Sequence, residues 1–300
     1  MVDKVAMTFS SRVVVVGDIM DDVVAAIGEP MRPNTDTPAS IKRSSGGSAA
    51  NTAVWLGSQG VSVDFFGQVG LRDLSRYRQE FIDAGVEAHL SGDEVLDTGS
   101  IVIVARGEDR SMLTDRGANV SLNPAVVTQD ILAGASALHL TGYSFFHHED
   151  PAAMAGLITR AIDAGLEVMV DASSSGFLSD FGVETFLGLV AQASILRCNE
   201  DEALLLSGAR TSEEALAMLS LRFPRVIITR GAQGSLVWEE GKVYDIPPHL
   251  VAQIRDATGA GDAFNAGILA GCARAQSIRA AAVGASELAA RCVTHLGARP

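Results

Sequence analysis

The nine residues Asp256-Ala257-Thr258-Gly259-Ala260-Gly261-Asp262-Ala263-Phe264 concentrate chemistry that the rest of the chain does not offer. A helical pattern runs on from Ala260 to about Ala273. Gly259 and Gly261 leave the backbone bare where that helix begins. Unpaired N–H groups point outward at such a start, and the helix dipole favours negative charge there. The turn can hold phosphate oxygens without a lysine. Asp262 falls in the first helical turn, beside this anion site. A carboxylate repels phosphate, so it is out of place in a simple phosphate cradle. It suits a base that takes a proton from a hydroxyl attacking a phosphorus. The plainer reading is a helix start stabilised by aspartate.

Other phosphate motifs fail. The chain has no G-x-x-x-x-G-K-[ST], which argues against a P-loop nucleotidase. Gly17-Asp18-Ile19-Met20 is not G-x-G-x-x-G, so a dinucleotide-binding dehydrogenase loses its main support. His147-His148-Glu149 looks like a metal cluster, but adjacent side chains on an extended piece point apart. A loop bordering a cleft is the expectation there.

These residues need a frame. Val13–Val16 is a continuous β-branched run ending in Gly17-Asp18, which predicts a buried parallel strand. Strands are also expected at Val61–Phe66, Ala135–Leu140, Glu167–Val170, Ala193–Leu196 and Arg225–Thr229. Helical patterns lie at Ser48–Gln59, Leu74–Ala84, Pro151–Ala164 and Asn199–Leu206. The alternation predicts an α/β fold: a mostly parallel sheet with helices on both faces, in one domain over residues 1–300. Two segments break the rhythm, 23–45 with its prolines and 88–114 with its Gly-bounded pieces around a turn at Gly107–Arg110. They predict a small β subdomain that covers the sheet edge as a lid.

Bulk properties narrow the partners. The net charge is −13 over 300 residues, with no basic run. That disfavours nucleic acid. No signal peptide and no uninterrupted apolar stretch of about 18 residues is visible, so a soluble cytoplasmic protein is expected, with no membrane partner. Cys198, Cys272 and Cys292 show no CxxC spacing and read as reduced thiols.

DATGAGDAF resembles the second signature of the ribokinase-like (PfkB) carbohydrate kinases, usually D-T-x-G-A-G-D. Ser45-Gly46-Gly47-Ser48-Ala49-Ala50-Asn51-Thr52-Ala53 resembles their first, a Gly-Gly pair followed by an asparagine. Gly67–Gly70, Arg116–Asn119, Asn199–Glu202 and Thr229–Gly234 match further landmarks in order. The resemblance runs from about Val13 to Ala298. It implies a ribokinase-like three-layer fold and an ATP-dependent kinase with magnesium. It makes Asp262 the base, with Gly259, Ala260 and Gly261 as the anion hole. It places Asn199 and Glu202 near magnesium through water and the nucleotide at Thr229 and Gly231. A helix cap is an alternative role for Asn199 and Glu202. The sugar falls to Gly46, Gly47 and Asn51, with Asp22 first and Asp18 second as acceptors of its hydroxyls' protons. Asn119 is equally a structural or a binding residue. A homodimer through the lid is the family expectation.

Several positions depart from the family pattern. Ala257 replaces a threonine in a loop that many relatives use for potassium, which puts K+ in question here. Leu71, Arg72 and Ser75 stand where an aspartate and a glycine are common, and Ala172–Ser175 where an asparagine and an arginine are. The first lid segment holds no aromatic residue to stack a base, which weakens a nucleoside substrate. The expected acceptor is the primary hydroxyl of a neutral pentose or hexose. A 2-keto-3-deoxygluconate-type sugar acid comes second, through Arg106, Arg110 or Arg116. A nucleoside kinase and a non-catalytic ligand-binding module are the remaining alternatives.

Overall fold

The computed structural model describes residues 12–107 and 109–300. Strand β1 (Arg12–Val16) carries four consecutive valines, all fully buried. Val13 and Val15 enter one hydrophobic core, Val14 and Val16 another. Alternate side chains of a strand point to opposite faces, so the sheet is covered on both sides.

The strands after β1 are β2 (Met20–Ile27), β3 (Ala39–Gly46), β4 (Ser62–Gly70), β5 (Glu87–Asp93), β6 (Gly99–Arg106) and β7 (Asp109–Asp115). Then come β8 (Ala137–Thr141), β9 (Glu167–Asp171), β10 (Ile195–Asn199), β11 (Arg225–Thr229), β12 (Ser235–Glu239) and β13 (Lys242–Ile246). Among the described residues, nine strands form one sheet in the order β13-β12-β11-β10-β9-β8-β1-β4-β5. Neighbours are parallel from β5 across to β11, and β12 and β13 add an antiparallel edge. Helices Ser48–Ser58, Leu74–Asp83, Ala260–Ala273 and Ile278–Cys292 supply one core. Helices Pro151–Asp163, Val183–Leu189, Glu200–Ser207 and Ser212–Leu219 supply the other. This is the expected three-layer α/β architecture.

The second sheet has the order β3-β2-β6-β7, with β2 and β6 parallel and the outer pairs antiparallel. Its second excursion is shorter than the sequence suggests. Residues 88–93 belong to β5, which pairs in parallel with β4 from Asp64 to Gly70. Helix Leu74–Asp83 is the crossover that returns the chain to this edge, so the excursion starts only at Gly99. The same pairing carries β4 past its expected end at Phe66. Of the turn expected over Gly107–Arg110, Glu108 and the side chains of Asp109 and Arg110 lie outside the described residues. Among the described residues no helix is long and apolar enough to cross a membrane.

Candidate active site

Parallel strands end together, and their carboxyl ends gather polar residues from a chain that is otherwise apolar there. Asp171, Asn199 and Thr229 are the last residues of β9, β10 and β11, and Asp18 follows β1 by two. Ligands of open α/β sheets bind at this edge.

Asp262 sits in the first turn of helix Ala260–Ala273, as expected. Its Oδ1 accepts from Ser48 Oγ at 2.7 Å and its Oδ2 from Asn51 Nδ2 at 3.0 Å. Both donors come from the start of helix Ser48–Ser58, which packs against Ala260–Ala273. Desolvation pushes the Asp262 carboxyl up to about 7; the Ser48 and Asn51 bonds oppose this, and the charges of Asp171 and Asp18 reinforce it. A carboxylate that titrates near neutrality can both take and hold a proton at working pH.

Gly259 has φ 81°, and a β-carbon there would meet Ala298 at 2.6 Å. Glycine alone allows both the left-handed turn and the close approach. The Ala260 N–H donates to the Ala257 carbonyl at 3.2 Å. The Gly261 N–H stands in the first turn, ahead of the helix's own acceptors. Arg197 lies against it: a β-carbon on Gly261 would be 3.2 Å from Nη2. Sequence reasoning did not find Arg197. Its signal was an arginine inside an apolar strand, Ile195-Leu196-Arg197-Cys198. It is buried, and Nη1 donates to both Asp171 oxygens at 3.0 and 3.1 Å while Nη2 donates to Thr229 Oγ1 at 2.9 Å. Asn265 Nδ2 donates to Asp171 as well. A buried cation is thereby held beside the Gly259–Gly261 turn by a carboxylate that it neutralises.

On the acceptor side the two loop aspartates differ. Asp18 is engaged: it accepts from the Ser48 and Ala49 N–H groups at 3.3 and 3.1 Å and faces Arg116 Nη2 at 3.5 Å. Its place is at the start of helix Ser48–Ser58. Asp22 Oδ1 is buried with no hydrogen-bond partner among the described residues. Burial raises the Asp22 carboxyl to about 6, against the pull of Arg299. A side chain at Gly46 would collide with the Asp22 carboxylate, which explains the glycine. Gly47 precedes the helix with φ 95°. Asn119 ties chain segments together: Oδ1 accepts from the Ile19 N–H, and Nδ2 donates to the carbonyls of Ile19 and Arg116. Arg116 Nη2 donates to the Tyr143 carbonyl at 3.3 Å and faces Asp18 at 3.5 Å.

Asn199 and Glu202 form a reciprocal capping box on helix Glu200–Ser207. Glu202 Oε2 accepts from the Asn199 N–H and Oε1 from Asn199 Nδ2, both at 2.8 Å. Glu202 is buried, and that burial, with Asp171 nearby, raises its carboxyl to about 7. Thr229, Gly231, Ala260 and Gly261 line a cavity of about 600 Å³, walled further out by Leu250 and Ile254. Among the described residues no cluster of three His, Cys, Asp or Glu side chains could hold a metal directly. His148 Nε2 instead meets the Leu122 carbonyl at 2.8 Å.

Two further residues escaped the sequence. Arg299 bonds to Asn51 Oδ1 at 3.0 Å across 248 positions, a contact with no local signal. Tyr143, in the turn Gly142–Ser144 that follows β8, lies under the Arg116 guanidinium at 5.0 Å and packs edge-on against Phe146 and Phe177.

The chain is 28% identical over 296 residues to ribokinase of Haemophilus influenzae, covering 95% of this chain and 93% of that one. It is 30% identical over 287 residues to aminoimidazole riboside kinase of Salmonella typhimurium, covering 90% and 83%. The crystal structure of adenosine kinase from Sinorhizobium meliloti superposes with a TM-score of 0.85 over 97% of this chain and 96% of that one, at 24% identity. Residues 10–300 match the pfkB family carbohydrate kinase description. The chain belongs to this family and is an ATP-dependent phosphotransferase.

Proposed function

We propose that the protein transfers the γ-phosphoryl group of ATP in line to a primary hydroxyl of a small sugar of the ribose or fructose kind, with Asp262 as the base. One observation carries this reading: Asp262, whose carboxyl burial raises to about 7, is held by Ser48 and Asn51 directly after the half-buried Gly259–Gly261 turn. Asp262 takes the hydroxyl proton as the oxygen attacks. The Gly259–Gly261 turn and the Arg197 guanidinium behind it face the charge on the transferred group. Asp22, with its unpartnered oxygen, accepts from sugar hydroxyls at the Gly46–Gly47 loop.

The donor set of Asn199 and Glu202 suits magnesium that keeps its waters. Each Glu202 oxygen holds one hydrogen bond to Asn199 and retains a lone pair for a metal-bound water. When bound, magnesium neutralises charge on the phosphates. The potassium expectation finds less support. Asp256 already accepts from the Thr258 N–H, Thr258 Oγ1 and the Gly297 N–H, so the loop does not need a cation to satisfy that carboxylate.

A nucleoside acceptor is the second reading, supported by the 30% identity to aminoimidazole riboside kinase. ADP release with ATP and magnesium, across pentoses, hexoses, sugar acids and nucleosides, tests both. Turnover with free sugars, lost in Asp262→Asn, supports the first reading. Turnover with nucleosides alone transfers support to the second. A homodimer through the small sheet is proposed on its exposed Ile41, Met112 and Leu113. Light scattering at micromolar concentration tests it, and a monomer mass rejects it.

A further inference from the structure

Asn51 stands between two charged groups that come from distant parts of the chain. Its Nδ2 donates to Asp262 Oδ2 at 3.0 Å, and its Oδ1 accepts from Arg299 Nε at 3.0 Å. Only one orientation of the amide satisfies both neighbours. Turned over, it would set NH2 against a guanidinium and a carbonyl oxygen against a carboxylate. Arg299 is itself fixed. Nη2 donates to the Gly46 carbonyl at 3.2 Å and Nη1 to Glu80 Oε2 at 3.4 Å. The Ala298 carbonyl accepts from Trp55 Nε1 at 2.8 Å, and the Gly297 N–H donates to Asp256 Oδ2 at 3.1 Å.

We propose that Arg299 is a positioning residue: by taking Asn51 Oδ1, it locks the amide so that Nδ2 faces Asp262, and it holds the Gly46 carbonyl of the acceptor loop with the same fork. The proposal rests on the reading of Asp262 as the base. Asp262 faces several other groups. Asp171 and Asp18 raise its carboxyl, and Tyr143, Cys292 and Arg299 lie within electrostatic reach. Asn51 and Ser48 donate to its ionised form and lower it. Without Arg299 the Asn51 amide can turn, the carboxylate loses a donor, and its midpoint rises.

The test reads Asp262 directly and needs no acceptor. The full chain is labelled with carboxyl-13C aspartate, and the Asp262 resonance is identified by its loss in Asp262→Asn. Arg299→Met removes both the donor and the charge. Arg299→Gln keeps a neutral N–H donor the same number of bonds from the backbone as Nε. The expected result is a midpoint raised by about half a unit or more in Arg299→Met and close to wild type in Arg299→Gln. An unmoved midpoint in Arg299→Met overturns the proposal. So does an Arg299→Gln midpoint as high as that of Arg299→Met, because charge alone would then explain the shift. Should Arg299→Met fail to fold, Asn51→Ala supplies the raised reference against which Arg299→Gln is judged. Turnover by Asp262→Asn is scored separately, so failure of the base assignment is distinguishable from failure of the positioning role.

Discussion

The two sides of the Gly259–Asp262 turn leave different groups without a partner, a carboxylate oxygen of Asp22 on one and a guanidinium N–H of Arg197 on the other. On the acceptor side, carboxylates are held in an unfavourable state. Asp22 is raised to about 6 with an oxygen lacking a partner, and Asp262 is raised to about 7. On the donor side most polar groups are paired with one another, although Arg197 Nε keeps no partner among the described residues and burial raises Glu202 to about 7 as well. Asn199 and Glu202 close a capping box, Arg197 and Asp171 form a buried pair, and the outer wall is apolar. The difference follows from what each side must recognise. A polyol supplies the hydroxyl donor that Asp22 Oδ1 lacks. A nucleotide supplies its own charge and a flat base, so its side needs a fixed cation, backbone donors and apolar surface. Substitutions on the acceptor side should therefore act on chemistry and acceptor binding, and those on the donor side on stability, nucleotide binding and, at Arg197, transfer itself.

The sharpest break of that contrast is Asp262→Asn. It should lower kcat about 10³-fold, within the usual range for loss of a positioned base, and leave the KM for ATP nearly unchanged. A variant that retains turnover removes the base from Asp262. Next in size is Arg197→Met on the donor side. It leaves Asp171 buried without its cation, and breaking such a pair costs about 3–5 kcal/mol. Thermal unfolding measures this, and an unchanged Tm would mean that Asn265 alone satisfies Asp171.

How far these sides were legible beforehand depended on the range of the contacts. The β1 valines and the Ala260–Ala273 helix were readable because burial on both faces and a glycine start are local patterns. The capping box was readable from the Asn199–Glu202 spacing. Membership of β5 in the large sheet was not, because edge pairing with β4 depends on where the crossover helix returns the chain. Asp18 and Asp22, four residues apart, gave no reason in sequence for one to cap a helix and the other to stay unpaired. That distinction came from where Arg116 and the Ser48 N–H lie in space. Arg299 carried no signal, since its partner is 248 positions away.

Asp22→Asn separates binding from folding. Burial raises its midpoint to about 6, so above that pH the carboxylate is ionised at a cost to the folded chain, and the neutral amide should raise the Tm at pH 7.5. The same change removes a charge-assisted acceptor for sugar hydroxyls, and the acceptor KM should rise about 10-fold or more. A lowered Tm with an unchanged KM would place Asp22 in the structural framework instead. The pH profile gives a milder, reversible version of the contrast. Asp262 must be ionised to accept a proton, and its midpoint is raised to about 7. The kcat/KM for the acceptor, which reports the free enzyme, should fall as the pH drops through 7, approaching about tenfold per unit below it. The acceptor KM should begin to rise only near pH 6, as Asp22 protonates. A profile flat from pH 8 to 5.5 would contradict both assignments.

The smallest effect belongs to the donor wall. Ile254 lines the nucleotide-side cavity and is 63% exposed, so its apolar surface is available for a base to cover. Covering part of such a side chain contributes on the order of 1 kcal/mol. Ile254→Ala should therefore raise the KM for ATP about three- to tenfold and leave kcat and the acceptor KM unchanged. The logic is uniform binding: contact with a base far from the reacting phosphorus is the same in the ground and transition states, so its loss weakens occupancy without slowing transfer. If kcat falls instead, the wall takes part in closing the site, and the division between a reactive acceptor side and a passive donor wall does not hold.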